Sequence, residues 1–368
     1  MSAFQISYAF MWLAGGIFLD VVGTRVGLAL AVIWWSLTNM ITGGARSLAG
    51  FMTCRFMLGI GEGVNWPGAS KAVAEWFPAE ERGIAVAIFD SGSSVGGAIA
   101  ALMIPPIALA MGWHWAFAVS GLLGFLWLIV WLRVYPSKRR IQETEQSSFL
   151  GAMAPVTIPV APRRSNWLAL ARDRNVWGIV LGRSMTEPIW WFYLFWLPQY
   201  LSDARGFSLE RIAMFAWLPF VAADIGNFTG GFISGYCIRH GVPVVEARRW
   251  VCAVSCLPIL VGIPAAGVHN VYFALGLICV ALWGYASWST MGLTFPSDLF
   301  PPEIVATVTG ISGFASGLAG AFCSFLVGIS VDRFSYGPAF VAAGLLPLIA
   351  TACVFVLIRS SATRVVAS

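Results

Sequence analysis

Charge is scarce in this 368-residue chain. Lys, Arg, Asp and Glu supply 11% of it, against about 25% in soluble domains. With 58% hydrophobic residues and a mean hydropathy of +0.79, that shortage excludes a soluble core and points to a polytopic membrane protein. Histidine is scarcer still. His114, His240 and His269 fall near the ends of apolar segments, with no HExxH or triad context, which argues against a membrane-embedded enzyme. The seven cysteines are scattered through apolar runs. Even Cys252 and Cys256, one helical turn apart, build no metal-ligand cluster, so all read as small apolar residues. No GxxxxGK[ST] loop is present, so nucleotide driving is not expected, nor is a cofactor or a metal. The first residues carry neither a basic n-region nor a cleavage site, so no secretory leader is expected. The net charge of +5 sits in connections, where it reads as a topology determinant rather than a nucleic-acid surface.

Long apolar runs, by contrast, are abundant. Segments able to cross about 30 Å of hydrocarbon occur near 3–19, 27–45, 49–70, 83–105, 114–133, 176–201, 211–237, 250–268, 271–295, 304–330 and 338–358. The 18 Trp and 26 Phe fit lipid-facing surfaces and interfacial belts. With the 134–175 connection placed in the cytoplasm, one set of connections and the C-terminus holds 16 Lys and Arg, and the other set holds 4. The bias puts the C-terminus inside. The expected fold is all-α: two pseudo-symmetric transmembrane helix bundles with about eleven spans. Residues 1–133 form an N-terminal bundle of five spans. Residues 134–175 form a basic cytoplasmic linker, flexible and with room for a short surface helix. Residues 176–359 form a C-terminal six-helix bundle, and 360–368 a cytoplasmic tail.

The halves repeat. Phe77-Pro78-Ala79-Glu80 recurs as Phe300-Pro301-Pro302-Glu303, 223 residues on, each before a helix rich in small residues. Gly15-Gly16 recurs as Gly230-Gly231, 215 residues on. The similar offsets and matching topological places indicate a parallel repeat, as in transporters built from two related halves.

Two ionisable residues stand inside the third run. Arg55 and Glu62 are seven apart, hence two turns along one helix face, and Asn65 lies three further on. Ionisable groups at membrane depth are costly and mark pathways or proton relays unless they lock helices together as a structural pair. Gly59, Gly61, Gly63 and Pro67 beside them favour close packing and a broken helix. At the end of the first run, Gly16-x-x-x-Asp20-x-x-Gly23-x-Arg25 suits a state-dependent latch. There Asp20 would pair with an Arg or a helix N-terminus across an inner gate; an ordinary helix stop is the alternative.

This turn, together with Glu75-Trp76-Phe77-Pro78-Ala79-Glu80-Glu81-Arg82-Gly83, resembles the major facilitator superfamily. Arg55-Phe56-Met57-Leu58-Gly59-Ile60-Gly61-Glu62 with Pro67 is similar to the fourth helix of its anion:cation symporter branch. Arg183-Ser184-Met185-Thr186-Glu187-Pro188-Ile189-Trp190-Trp191 and Ile212-Ala213-Met214-Phe215-Ala216-Trp217-Leu218-Pro219 are most similar to bacterial hexuronate transporters. The chain departs from the family at Val21, where an Arg is usual, and has no counterpart of the family's first helix among its twelve.

The resemblance implies secondary active uptake of a small organic anion, a sugar acid such as a hexuronate, by H+ symport and alternating access. It implies a monomer in the inner membrane, with the lipid bilayer, the substrate and H+ as its partners. The rival readings are another organic acid or an inorganic anion as substrate, and a truncated product that does not transport. Arg55 offers a guanidinium fork for a carboxylate, and Glu62 is the expected proton-coupling acid. Tyr8 matches the branch's second-helix tyrosine, and Ser93 falls at a polar lining position of the fifth. Further substrate-binding candidates are Asn65, Arg183, Trp190, Trp191, Tyr193, Thr290, Thr309 and Ser312. An aromatic stripe such as 190–193 is more often packed than cavity-lining, and Ser or Thr in a span often bonds its own backbone. Asp20, Arg25, Glu187 and Asp298 are gate candidates. Asp224 and Asn227 form a further polar pair, read as packing or gating.

Overall fold

The computed structural model describes residues 2–136, 167–215 and 217–359. Most of the 134–175 connection and the 360–368 tail lie outside them. Regular structure among the described residues is entirely helical. In the first half these helices are α1 (Ser2–Val22), α2 (Thr24–Thr42), α3 (Leu48–Glu62), α4 (Asn65–Trp76), α5 (Ala79–Met111) and α6 (Trp113–Val134). In the second they are α7 (Trp167–Arg172), α8 (Arg174–Asp203), α9 (Leu209–Phe215), α10 (Leu218–Arg239), α11 (Val244–Leu260), a 3-10 turn (Ile263–Ala266), α12 (Val271–Leu299), α13 (Pro302–Arg333) and α14 (Gly337–Leu357).

Every apolar run falls on helix, and seven helical segments are long and apolar enough to cross a membrane by length and composition. The 49–70 run is not continuous: it stops at Glu62 and restarts at Asn65. The 211–237 run divides into α9 and α10, and Pro219 occupies the first turn of α10. Local chemistry sets other boundaries. Ser47 caps α3 through Gly50 N–H, Asp173 caps α8 through Asn175 N–H, and Asn270 caps α12 through Tyr272 and Phe273 N–H. Gly23 and Gly112, with φ near +92° and +93°, join α1 to α2 and α5 to α6 through one residue, a conformation that a side chain resists.

The internal repeat has a structural meaning. Phe77 and Phe300 end α4 and α12, Pro78 and Pro301 precede α5 and α13, and Glu80 and Glu303 stand in the first turns of those helices. There the carboxylates complement the positive end of the helix dipole. The two halves meet along two seams, α1 against α13 and α10 against α5. A Cβ at Gly16 would strike the Ala306 carbonyl, and one at Gly231 would strike the Gly83 carbonyl. Gly16 and Gly231 are 215 apart, and Gly83 and Ala306 are 223 apart, the same offsets as the sequence repeats. The two seams are thus one contact made twice.

The second half is the better filled. Phe192, Tyr193, Tyr200, Ile278, Leu282 and Phe340 form its core. Arg205, just past α8, ties that helix to the loop before α12. Its Nε donates to the Tyr200 hydroxyl (2.7 Å), and its Nη atoms donate to the carbonyls of Val268 (2.7 Å), Ala265 (2.8 Å) and Ala266 (3.1 Å).

Candidate functional site

The ends of α1, α4, α6, α10 and α12 and the starts of α2, α5, α11 and α13 gather at one end of the bundle, here the basic end. Two carboxylates hold it shut. Asp20, at the end of α1, accepts from Lys71 Nζ of α4 (2.7 Å) and from the backbone N–H of Thr307 near the start of α13 (2.7 Å). Asp298, at the end of α12, pairs with Arg248 of α11 (2.9 Å) and Arg82 of α5 (3.2 Å). Arg248 also donates to Ala79 O at the start of α5 (2.6 Å), and Arg82 to Ser297 O (2.6 Å). Arg248 and Asp298 are fully buried, so this ion pair survives only because it is complete. Arg25 does not reach across a seam. It donates to Leu132 O (2.6 Å) while its own carbonyl accepts from Trp131, which pins the start of α2 to the end of α6 within one half.

Farther along, α1 and α13 stay in contact as far as Phe10 on Phe314 (5.3 Å), while space opens beside α5. Beyond Ser91 on α5, a Cβ at Gly92, Gly96 or Gly97 would meet no atom within 4 Å. On the first-half side stand Arg55 and Glu62. They do not lock helices together, for no ion pair joins them among the described residues. Instead the Arg55 guanidinium lies over the rings of Phe51 (5.0 Å) and Phe117 (5.3 Å), with no carboxylate within 4 Å among the described residues. Glu62 is the last residue of α3, at the break. The glycines around it serve packing. Cβ atoms at Gly59 and Gly63 would run into α1, and one at Gly61 into Trp34 and Trp35 of α2. Tyr8 of α1 lies within electrostatic range of Glu62 and meets Trp12 edge-on (6.2 Å); Trp12 stacks on Trp66 of α4 (6.2 Å). Asn65, the first residue of α4, is exposed.

On the second-half side, Arg183 is buried. It donates to Ser312 Oγ of α13 (3.0 Å), approaches Glu187 (3.5 Å), and lies over the Trp12 ring (5.2 Å). Asp90 of α5 is half-buried and within electrostatic range of Arg183, Glu187 and Asp224. Asn227 Oδ1 accepts from Thr290 (3.0 Å). Trp12 lies between the two: Tyr8 meets its ring, Arg183 lies over it, and Tyr8 is in electrostatic range of both Glu62 and Glu187.

The remaining candidates fall elsewhere. Ser93 is exposed and its hydroxyl bonds the Asp90 carbonyl of its own helix (2.8 Å). Thr309 is buried with no partner for its hydroxyl, while its carbonyl accepts from Ser312. Tyr193 is core, against Phe192 and Phe340. Trp190 packs on Tyr285 and Phe220, and Trp191 on Phe195 and against Gly320. The aromatic stripe is packed rather than assembled into one open ring face.

Five residues of these groups were not among the sequence candidates: Lys71, Arg82 and Arg248 at the basic end, and Trp12 and Asp90 farther in. Asp90 had a usable signal. It is a carboxylate inside the 83–105 apolar run, the same criterion that singles out Glu62.

A sequence model of the Major Facilitator Superfamily matches residues 1–322. The chain is 31% identical to the hexuronate transporter of Escherichia coli (strain K12), over 98% of this chain and 84% of that protein. It is 38% identical to the galacturonate transporter of Dickeya chrysanthemi, over 70% of this chain and 76% of that protein. A solved proton:xylose symporter superposes with a TM-score of 0.73 at 17% identity, covering 96% of this chain and 84% of that one. At that identity the likeness speaks for the fold.

Proposed function

The chain belongs to the major facilitator superfamily, and we propose that it takes up a sugar acid of the hexuronate class across a bacterial inner membrane by proton symport. The basic end faces the cytoplasm in this reading, as the excess of Lys and Arg in its connections requires. Transport proceeds by alternating access: the two halves rock about the seams, and the latches at Asp20 and Asp298 close the cytoplasmic side. The arrangement described, shut at the basic end and open beside α5, is then the outward-facing one.

The observation that carries the reading is Arg55, a guanidinium over two aromatic rings with no carboxylate partner among the described residues. A planar fork of N–H donors suits a carboxylate in bidentate geometry. The rings desolvate the site without neutralising it. Glu62 stands on the same helix, two turns away. While ionised it weakens the field that Arg55 offers to an anion. Once it takes a proton from outside, the site binds the substrate carboxylate more firmly, and anion and proton travel together. Tyr8, with Trp12 and Trp66 beside it, supplies a hydroxyl and apolar faces suited to a sugar ring.

Uptake of labelled glucuronate into proteoliposomes, with and without an inward proton gradient, tests this. The gradient is expected to raise uptake by the wild type and to have no effect on the Glu62→Gln variant. A Glu62→Gln protein that still accumulates glucuronate against a gradient removes Glu62 from the coupling. A wild type that takes up neither glucuronate, galacturonate nor galactonate refutes the sugar-acid reading.

A further inference from the structure

Arginine gathers where the second half reaches the basic end. There α8 and α11 begin and α14 ends, and three arginines converge on residues 355–359. Arg174, the first residue of α8, is exposed and donates to Val356 O (3.3 Å). Arg249 of α11 lies over the Phe355 ring (5.7 Å), and its Nε is buried with no hydrogen-bond partner among the described residues. Arg359 follows the last turn of α14, its backbone N–H held by Asn175 Oδ1 (2.8 Å). None of the three has a carboxylate within 4 Å among the described residues. The nearby acids serve helix starts. Asp173 caps α8 through Asn175 N–H (2.7 Å), and Glu246 stands in the first turn of α11, where it complements the helix dipole.

Capping α14 is the ordinary use of such cations, and it does not use up three of them. The C-terminal end of a helix carries only about half a negative charge. Arg174 already donates to a carbonyl of that turn, so the charge of Arg249 and Arg359 is in excess. Beside them the surface is apolar. Trp250, Val254 and Leu257 recur along the exposed face of α11, and Leu348 and Phe355 are exposed on α14. Trp250 meets Phe355 edge-on (5.8 Å), which joins the two faces directly beside Arg249. A water-soluble anion gains nothing from that face, whereas a lipid uses both parts. Guanidinium forks suit phosphate oxygens, and basic pockets between helix ends at the cytoplasmic side of a membrane suit headgroups with two phosphates.

We infer that the end of α14 is a binding site for an anionic phospholipid with two phosphate groups. Its phosphates lie on Arg174, Arg249 and Arg359, and its acyl chains run along the Trp250 face of α11. The site needs the basic end to lie at headgroup level, and it is independent of what the protein transports. It joins α8, α11 and α14, all of one half, and crosses neither seam. A lipid held there braces the second half and leaves the rocking free.

Native mass spectrometry of the delipidated protein in detergent tests this. The titrants are tetraoleoyl cardiolipin, dioleoyl phosphatidylglycerol and dioleoyl phosphatidylethanolamine. The wild type is expected to retain one cardiolipin at lower concentration than either other lipid. The Arg249→Gln/Arg359→Gln pair should weaken that first binding about 25-fold, since each arginine near an anionic headgroup is worth about fivefold. Arg133→Gln/Arg239→Gln removes the same charge elsewhere at the basic end and should leave it unchanged. Equal losses in the two pairs overturn the site in favour of diffuse charge attraction. Wild-type retention of phosphatidylglycerol as firm as that of cardiolipin overturns the two-phosphate assignment, and equal retention of phosphatidylethanolamine overturns the inference whatever the variants do. Cardiolipin should also raise the melting temperature of the wild type. Inorganic phosphate that raises it as far overturns the lipid in favour of a soluble anion.

Discussion

Gly231 is the residue whose replacement tests the proposed rocking motion most directly. A Cβ there would stand 2.6 Å from Gly83 O, 2.8 Å from Gly83 C and 3.0 Å from Ile84 N. All three are backbone atoms of α5 and none can rotate aside, so Gly231→Ala must push the α10–α5 seam apart. Overpacking of this kind costs about 1–3 kcal/mol. The strain exists only while the basic end is shut, so it lowers the closed-to-open ratio by roughly 5- to 150-fold. Gly16→Ala, which drives a methyl into the Ala306 carbonyl on the other seam, should do the same, because the two contacts are copies. Spin labels at Val21 and Glu303, both exposed at the basic end and on opposite halves, report the separation by pulsed electron resonance. The expected result is a population at longer distance in either alanine variant that is minor in the parent. Unchanged distance distributions in both variants, with the protein still folded, would refute the claim that these glycines set the closed state.

The Asp298 latch and the Arg205 contacts give two stability predictions. Asp298→Ala strands the fully buried Arg248 and also loosens Arg82, and should destabilise the detergent-solubilised protein by about 3–5 kcal/mol. A melting temperature within error of wild type would show that the pair is not holding the basic end. Arg205→Ala deletes four hydrogen bonds, one to Tyr200 of α8 and three to carbonyls of the loop before α12, for a loss of about 3 kcal/mol. Thermal unfolding should register it while the Km for glucuronate stays near wild type; a large change in Km with no loss of stability would place Arg205 at the substrate instead.

How much of this was legible in the sequence depended on the range of the interaction. The runs gave the helices because burial in hydrocarbon needs length and hydropathy, and both are local. The break between Glu62 and Asn65 was only hinted at by Pro67, since hydropathy does not register an interrupted hydrogen-bond ladder. The Arg183–Glu187 contact could be read from its i, i+4 spacing. The partners of Asp20 and Asp298 could not: Lys71 is 51 residues from Asp20, and Arg82 is 216 from Asp298. In the sequence these cations count only toward membrane orientation. The packing of Trp190, Trp191 and Tyr193 on other aromatics was not legible for a related reason. An aromatic residue in a span has the same spacing whether its neighbour is a sugar or Phe340. The repeat was legible, and it carried more than its few residues promised, because each copy keeps the same turn and so the same seam.

The two latches share a design with a consequence for how easily they release. Each carboxylate has one resident partner from its own half, Lys71 for Asp20 and Arg248 for Asp298, and one visiting donor from the other half, the Thr307 N–H or Arg82. When the halves swing apart only the visitors leave. Neither carboxylate is abandoned in low dielectric, so opening forfeits hydrogen bonds to charged groups, about 1.5–3 kcal/mol each, and avoids the larger penalty of a bare buried charge. A gate made of ion pairs split evenly between the halves would hold one state too deeply. Residents that stay and visitors that return leave the two states of the proposed cycle close enough in free energy for a bound substrate to decide between them.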